Sequence, residues 1–147
     1  MTMVYPASKA KHAPWWRALR SAGVPISPEA HWIDWGANEP GAPEAGADDL
    51  SGHWQGCLTG VGTADILLFL DMPGENQCGA IAELGAALAF GKQVFLVSEN
   101  WWSIEHHARC RKFRRLEDAI AAIKAIEAGE RARQQAERSR HQTEYER

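Results

Sequence analysis

The chain has 147 residues, of which 45% are hydrophobic, so its length and composition suit one domain of ordinary size with a substantial core. A formal net charge of −3 gives no electrostatic case for binding a nucleic-acid polymer, and no apolar run reaches the roughly 18 residues that a membrane span needs. Three widely spaced cysteines and an N-terminal segment without an apolar leader indicate a cytoplasmic rather than a secreted protein.

The predicted elements alternate between strands and helices. In chain order they are a strand over 3–8, a helix over 13–23, a strand over 24–28, a loop over 31–52, a helix over 49–63, a strand over 64–71, a helix over 78–91, a strand over 92–98, a short edge strand over 109–113 and a helix from 115. The charged residues after about 126 show no apolar stripe. We therefore expect one domain over 1–126 and a helical or disordered tail over 127–147.

This alternation predicts an α/β three-layer sandwich with a parallel sheet. The βαβ units have right-handed crossovers, which place helices on both faces of the sheet. Four or five strands in the flavodoxin-like order 2-1-3-4-5 are expected. Ligands in such folds bind at the carboxyl ends of the strands, where the winding direction reverses. The loops after Ser8 and after Asp71 are therefore expected to face each other across a site.

The helix over 78–91 carries a single charged residue, Glu83, among small and apolar side chains. Ile81, Leu84 and Leu88 form an apolar stripe that is expected to meet the sheet. At ~100° per residue, Glu83 then lies about 140° from the centre of that stripe. Two interpretations follow. The carboxylate lies at the rim of a tight helix or subunit contact, or a ligand approaches the small residues and the carboxylate acts as a nucleophile or acid–base group.

The stretch TADILLFLDMPGENQCGAIAELGAALAFGKQVFLVS, residues 63–98, resembles the central block of the nucleoside 2-deoxyribosyltransferase family. The matching residues are Ala64, Asp65, Gly79, Glu83, Leu84, Gly85, Ala87, Gly91, Lys92 and Val94, together with Tyr5 in the first strand. The resemblance implies that Glu83 attacks the anomeric carbon of a nucleoside and forms a covalent glycosyl-enzyme, which a second base or water resolves. It also implies that Tyr5 orients that carboxylate.

Two acidic residues of the family pattern are replaced in this chain. Gln77 stands where the family has an aspartate that helps to hold a sugar hydroxyl, and its amide both donates and accepts hydrogen bonds. Cys57 stands where a second family aspartate works near the base, and a thiol is a poor proton donor there. Asp71 and Glu75 lie in the same loop as Gln77 and are candidates to supply the missing charge.

Aromatic and small residues complete the predicted binding site. Trp32 and Trp35, in the loop after the second strand, are expected to cap the site and stack on a nucleobase, whereas Trp16 is expected in the core. Gly79, at the start of the central helix, and Ser8, in the first loop, are further candidate substrate contacts.

The sequence therefore predicts an N-glycosyl-transforming enzyme that acts on a (deoxy)nucleoside or nucleotide through Glu83. One alternative is a nucleoside 5′-monophosphate N-glycosidase, for which Ser8, Lys9 and Lys11 offer phosphate contacts in the first loop. The other is a catalytically impaired nucleotide-binding module, which the loss of both aspartates favours. No cofactor and no metal are expected. The predicted partner is a small-molecule nucleoside or nucleotide, and the resemblance implies a homo-oligomer.

Overall fold

The computed structural model describes residues 1–34 and 47–145 of the chain. The strands in these ranges are β1 (Val4–Ala7), β2 (Ile66–Asp71), β3 (Gln93–Ser98) and β4 (Cys110–Phe113). The α-helices are α1 (Ala13–Ser21), α2 (Ala47–Thr63), α3 (Cys78–Ala89) and α4 (Leu116–Tyr145), and short 3-10 turns cover Ala10–His12, His31–Asp34 and Ser103–His106. None of the helices in the described part of the chain is long and apolar enough to cross a membrane.

The four strands form one parallel sheet in the order β1-β2-β3-β4, which confirms the predicted parallel α/β fold. The strand predicted over 24–28 is reduced to a single parallel bridge between Ile26 and Val4. Pro25 and Pro28 flank that bridge, and a proline has no N–H group with which to extend a ladder. The five-strand order 2-1-3-4-5 is therefore not confirmed.

The strands are buried because helices cover the sheet. All six residues of β2 and all four of β1 are buried, as continuous apolar runs in a parallel sheet should be. Helix α3 packs against β1, β2 and β3 and also contacts α2, while α4 packs on β3 and β4. Trp16 of α1 is fully buried, as predicted. In α4, Ala119 and Ile123 are buried, whereas the residues from 131 to 142 are exposed.

Helix α3 turns only part of the predicted stripe inward, since Leu84 is buried and Leu88 is partly buried against the core. Ile81 is 41% exposed, whereas Ala80, Glu83, Leu84 and Ala87 are buried. The expectation that Ile81 meets the sheet was therefore wrong. The buried positions have the i, i+3, i+4, i+7 spacing of one helical face, and the alanines on it let α3 lie close to the strands. Glu83 thus sits on the inner face of its helix.

Candidate active site

The central feature of the site is a hydrogen bond between β1 and α3. The Tyr5 hydroxyl donates to Oε1 of Glu83 over 3.0 Å. Tyr5 is fully buried and Glu83 is 7% exposed. Gly60 of α2 makes room for the phenol ring, because a Cβ atom at that position would lie 2.6 Å from Cε2 of Tyr5. Strand β1, helix α2 and helix α3 therefore fix this pair together.

Burial dominates the electrostatics of this pair. It raises the pKa of Glu83 to about 7, although hydrogen bonding from Tyr5 and Cys57 opposes the shift. Burial, with the charge of Glu83, also holds the pKa of Tyr5 above its usual range. The pKa of the Cys57 thiol rises to about 12, again mainly through burial. Near neutral pH, Tyr5 and Cys57 are therefore neutral, and Glu83 exchanges between acid and carboxylate.

A cavity of about 670 Å³ lies between the first loop, α2, the β2–α3 loop and the start of α3, and neither Tyr5 nor Glu83 is among its lining residues. Three predicted site residues line it, namely Ser8, Gln77 and Gly79. Gly79 and Ala80, which precede Glu83 by about one helical turn, form its α3 wall. Its volume lies within the range of small-molecule sites.

A second cavity of about 130 Å³ also borders α2. Tyr5, Cys57 and Trp32, all predicted site residues, line this smaller cavity. The hydrogen-bond partner of Glu83, Tyr5, borders the smaller cavity, and its α3 neighbours Gly79 and Ala80 border the larger one, whereas Glu83 itself lines neither. His53 of α2 lines both cavities.

Glu75 anchors the first loop to the β2–α3 loop. Its Oε1 lies 2.8 Å from Nζ of Lys11 and 2.7 Å from Nε2 of His12, and its Oε2 accepts from Nε2 of Gln77 over 3.0 Å. Burial alone would raise the pKa of Glu75, but hydrogen bonds from Lys11 and His12 outweigh it and lower that pKa to about 2. Glu75 is thus a fixed negative charge on the wall of the larger cavity.

Only the nitrogen of the Gln77 side-chain amide is hydrogen-bonded among the described residues. Its Nε2 donates to Glu75, while its Oε1 is buried without a hydrogen-bond partner among the described residues. A buried carbonyl oxygen without a partner is unfavourable, so this atom is suited to accept a hydrogen bond from a ligand.

Asp71 lies apart from both cavities. Its Oδ2 accepts hydrogen bonds from Ser98 Oγ (2.8 Å), Asn100 Nδ2 (2.7 Å) and Trp102 Nε1 (3.1 Å). These contacts tie the end of β2 to the end of β3 and the loop that follows. Trp35, the remaining predicted residue, lies outside the described residues.

Solved structures of other proteins share this fold. A CMP N-glycosidase from Clostridium botulinum matches with a TM-score of 0.51 and 13% sequence identity, over 84% of this chain and 99% of that one. A 2-deoxyribosyltransferase from Leishmania mexicana matches with a TM-score of 0.52 and 19% identity, over 84% of this chain and 98% of that one. The fold is that of the nucleoside 2-deoxyribosyltransferase-like proteins. No protein-family model matches the sequence, and a search of curated proteins finds no relative.

Within this deoxyribosyltransferase-like fold, sequence reasoning missed His53. Its ring nitrogens lie 3.7 Å (Nδ1) and 3.5 Å (Nε2) from Sγ of Cys57. The available signal was their i, i+4 spacing on a predicted helix, which puts both side chains on one face. Trp54 also lines the larger cavity and is 39% exposed, but no feature of its sequence context distinguishes it from the other tryptophans.

Proposed function

We propose that this protein cleaves the N-glycosidic bond of a nucleoside or nucleotide through a covalent intermediate on Glu83. The observation that carries the proposal is the buried Tyr5–Glu83 hydrogen bond of 3.0 Å, made by a helix whose first turn lines a cavity of about 670 Å³. A carboxylate with a pKa of about 7 is only partly ionised at neutral pH. Its desolvated anion is a better nucleophile than a carboxylate in water.

In the first step, an oxygen of the Glu83 carboxylate attacks the anomeric carbon. The bond between that carbon and the base nitrogen breaks, its electron pair leaves with the base, and the base takes a proton from solvent. Tyr5 holds Oε1 by its hydrogen bond, which leaves Oε2 to form the new ester bond. In the second step, water or another base attacks the same carbon and releases the carboxylate, as in retaining glycosidases.

The walls of the cavities supply the substrate contacts. The open Oε1 of Gln77 accepts a hydrogen bond from a sugar hydroxyl, which replaces one contact of the family aspartate. Glu75, bonded to the Gln77 amide, restores a negative charge next to it. Trp54 on the larger cavity and Trp32 on the smaller one offer aromatic faces for a base. Gly79, without a side chain, lets the sugar approach α3.

A second candidate function is hydrolysis of a nucleoside 5′-monophosphate. Lys9 and Lys11 both line the larger cavity next to Ser8. Lys11 is paired with Glu75, which leaves Lys9 as a first-loop cation without an ion pair among the described residues. A cation in this loop favours a substrate that carries a phosphate, and a CMP N-glycosidase is among the solved structures that share the fold.

The test is to incubate the protein with a panel of nucleosides, 5′-monophosphates and 2-fluoro-sugar analogues and to measure base release and intact mass. We expect base release, and an adduct of the sugar mass on the α3 peptide that contains Glu83. Glu83→Gln should abolish both. Glu99→Gln, a matched change at an exposed glutamate after β3, should leave both unchanged.

The distribution of products separates the candidate functions. Transfer of the sugar to a second base supports a transferase, and release without transfer supports a hydrolase. If neither base release nor an adduct occurs with any substrate, the enzymatic proposal is wrong and a nucleotide-binding module is the better description.

A further inference from the structure

We propose that His53 is the general base that activates water to resolve the glycosyl–Glu83 ester. The inference rests on the proposed function and deepens it, because it assigns the second half of the reaction to a residue outside the family pattern. His53 stands one helical turn before Cys57 on α2, and Cys57 occupies the position of a family aspartate.

His53 borders both the larger and the smaller cavity, and its ring lies 3.5 Å from Sγ of Cys57. Cys57 in turn interacts with the Glu83 carboxylate and the Tyr5 phenol. Only the Cys57 side chain therefore separates the imidazole from the Glu83 carboxylate. Because the imidazole borders both cavities, a water molecule in either one can contact it.

The other polar groups around Glu83 are poor bases. Tyr5 and Cys57 are neutral, since burial raises the pKa of both. Glu75 is a weak base, because its pKa is about 2 and both of its oxygens accept hydrogen bonds.

The protonation state of His53 suits the role. Burial lowers the pKa of its imidazole below the ordinary value of 6.5, so the ring is neutral at the pH where Glu83 ionises. Other titratable groups also border the cavities that His53 lines, and they are Lys9, Lys11 and Glu75 on the larger cavity and Tyr5, Glu29, His31 and Cys57 on the smaller one. A neutral imidazole is an effective base near pH 7.

In the second half of the reaction, water displaces Glu83 from the anomeric carbon. The oxygen of water forms a bond to the anomeric carbon while a ring nitrogen of His53 takes one of its protons. The bond between that carbon and the Glu83 oxygen breaks, and its electron pair returns to the carboxylate. The products are the free sugar, the Glu83 carboxylate and an imidazolium, which then loses its proton to solvent. No oxidant or further reactant is needed.

The test compares wild type with His53→Asn and His53→Gln, each of which keeps an amide nitrogen near one ring nitrogen but is not a base. Rapid-quench measurement of base release and of the intact-mass adduct separates the two steps. We expect the first turnover of base release to persist, steady-state turnover to fall about 100-fold or more, and the glycosyl–Glu83 adduct to accumulate. Azide, which attacks without losing a proton, should restore turnover and give a glycosyl azide.

His106→Asn, at an exposed histidine in the turn before β4, is the matched control and should behave as wild type. The role of His53 is wrong if the adduct of the His53 variants decays at the wild-type rate. It is also wrong if base release and adduct decay slow equally, with no azide rescue, because that result marks a structural residue. If the wild-type protein itself forms no adduct, the proposed function fails first, and this inference fails with it.

Discussion

Glu83 is a carboxylate that the fold keeps away from water, and its ionisation sets the chemistry available near neutral pH. The phenol of Tyr5 donates a hydrogen bond to it over 3.0 Å. This partner offsets only part of the desolvation, since the pKa still rises to about 7. Ionised Glu83 therefore destabilises the folded state, and this effect should be measurable without any substrate.

The stability of the protein should depend on pH through Glu83. Its folded pKa of about 7 lies above the ordinary value of 4.5, so its favourable contribution is complete below about pH 4.5 and is lost as the pH rises through 7. Glu83→Gln removes this dependence. Between pH 4.5 and 8, we expect the unfolding free energy of wild type to fall by on the order of 3 kcal/mol relative to that of the variant. Urea unfolding across this range checks it, and parallel pH profiles for the two proteins would contradict it.

Tyr5→Phe should impair catalysis more than folding. The Tyr5 hydroxyl donates a hydrogen bond that lowers the Glu83 pKa. Without this hydroxyl the Glu83 pKa should rise, and the pH profile of kcat/KM should shift to higher pH. We expect activity at pH 7 to fall about 10- to 100-fold. The Tm of the variant, measured alongside, controls for misfolding. An unchanged pH profile would mean that Tyr5 only fills space.

At the scale of the elements, the site depends on how closely α2 and α3 approach the sheet. Gly60 lets α2 pass the Tyr5 ring, and Ala80 and Ala87 let α3 bring Glu83 to the end of β1. The same arrangement explains the exposure of Ile81. The small residues on the inner face of α3 let the helix lie close to the sheet, and Ile81 lies outside that face.

Gly60→Ala should destabilise the protein. The new Cβ would lie 2.6 and 2.9 Å from two ring atoms of Tyr5 and 3.1 Å from the backbone oxygen of Glu29. Because the ring is fully buried, we expect a loss of about 1–3 kcal/mol. Gly56→Ala is the matched control on the same helix, since its Cβ meets nothing within 4 Å, and it should be neutral or stabilising. Equal unfolding free energies for the two variants would exclude the close contact.

The sequence predicted the fold well because its signals are local. The apolar runs of β2 and β3 are the pattern of buried parallel strands, and their alternation with helices dictates the topology. The Tyr5–Glu83 contact was predictable because both residues match the family pattern, and the cavity walls at Ser8 and Gln77 were predictable because both follow the carboxyl ends of strands. The role of Glu75 as an anchor and the separate network of Asp71 depend on contacts between segments far apart in sequence, which periodicity does not encode.

At the scale of the whole molecule, α4 has two parts. Its first turns pack on the sheet through Ala119 and Ile123, and Glu127 is also buried. From residue 131 to 142 every residue is exposed. The domain boundary predicted near 126 stays a prediction, as do the homo-oligomer and the cytoplasmic location. Ile81 on α3 and Phe90 just after it are among the exposed large hydrophobic residues.

Removal of residues 134–147 should leave the body intact. The described side chains in that segment are exposed, so their loss removes little buried apolar area. We expect a change in Tm of less than about 2 °C, measured by circular dichroism at 222 nm. As a comparison, a chain that ends at 118 would lose Ala119 and Ile123 and should unfold or melt many degrees lower. A large fall in Tm for the shorter deletion would show that the distal helix contributes to the core.

The distance along the chain between Tyr5 and Glu83, 78 positions, has a consequence for the order of folding. Strands β2 and β3, with α3 between them, pair Ile66 with Gln93, whereas β1 joins β2 by pairing Val4 with Ile66. Closure of the longer loop is entropically costlier and slower. A nascent chain should therefore assemble its β2–α3–β3 unit before β1 docks, and the phenol–carboxylate contact should be among the last to form.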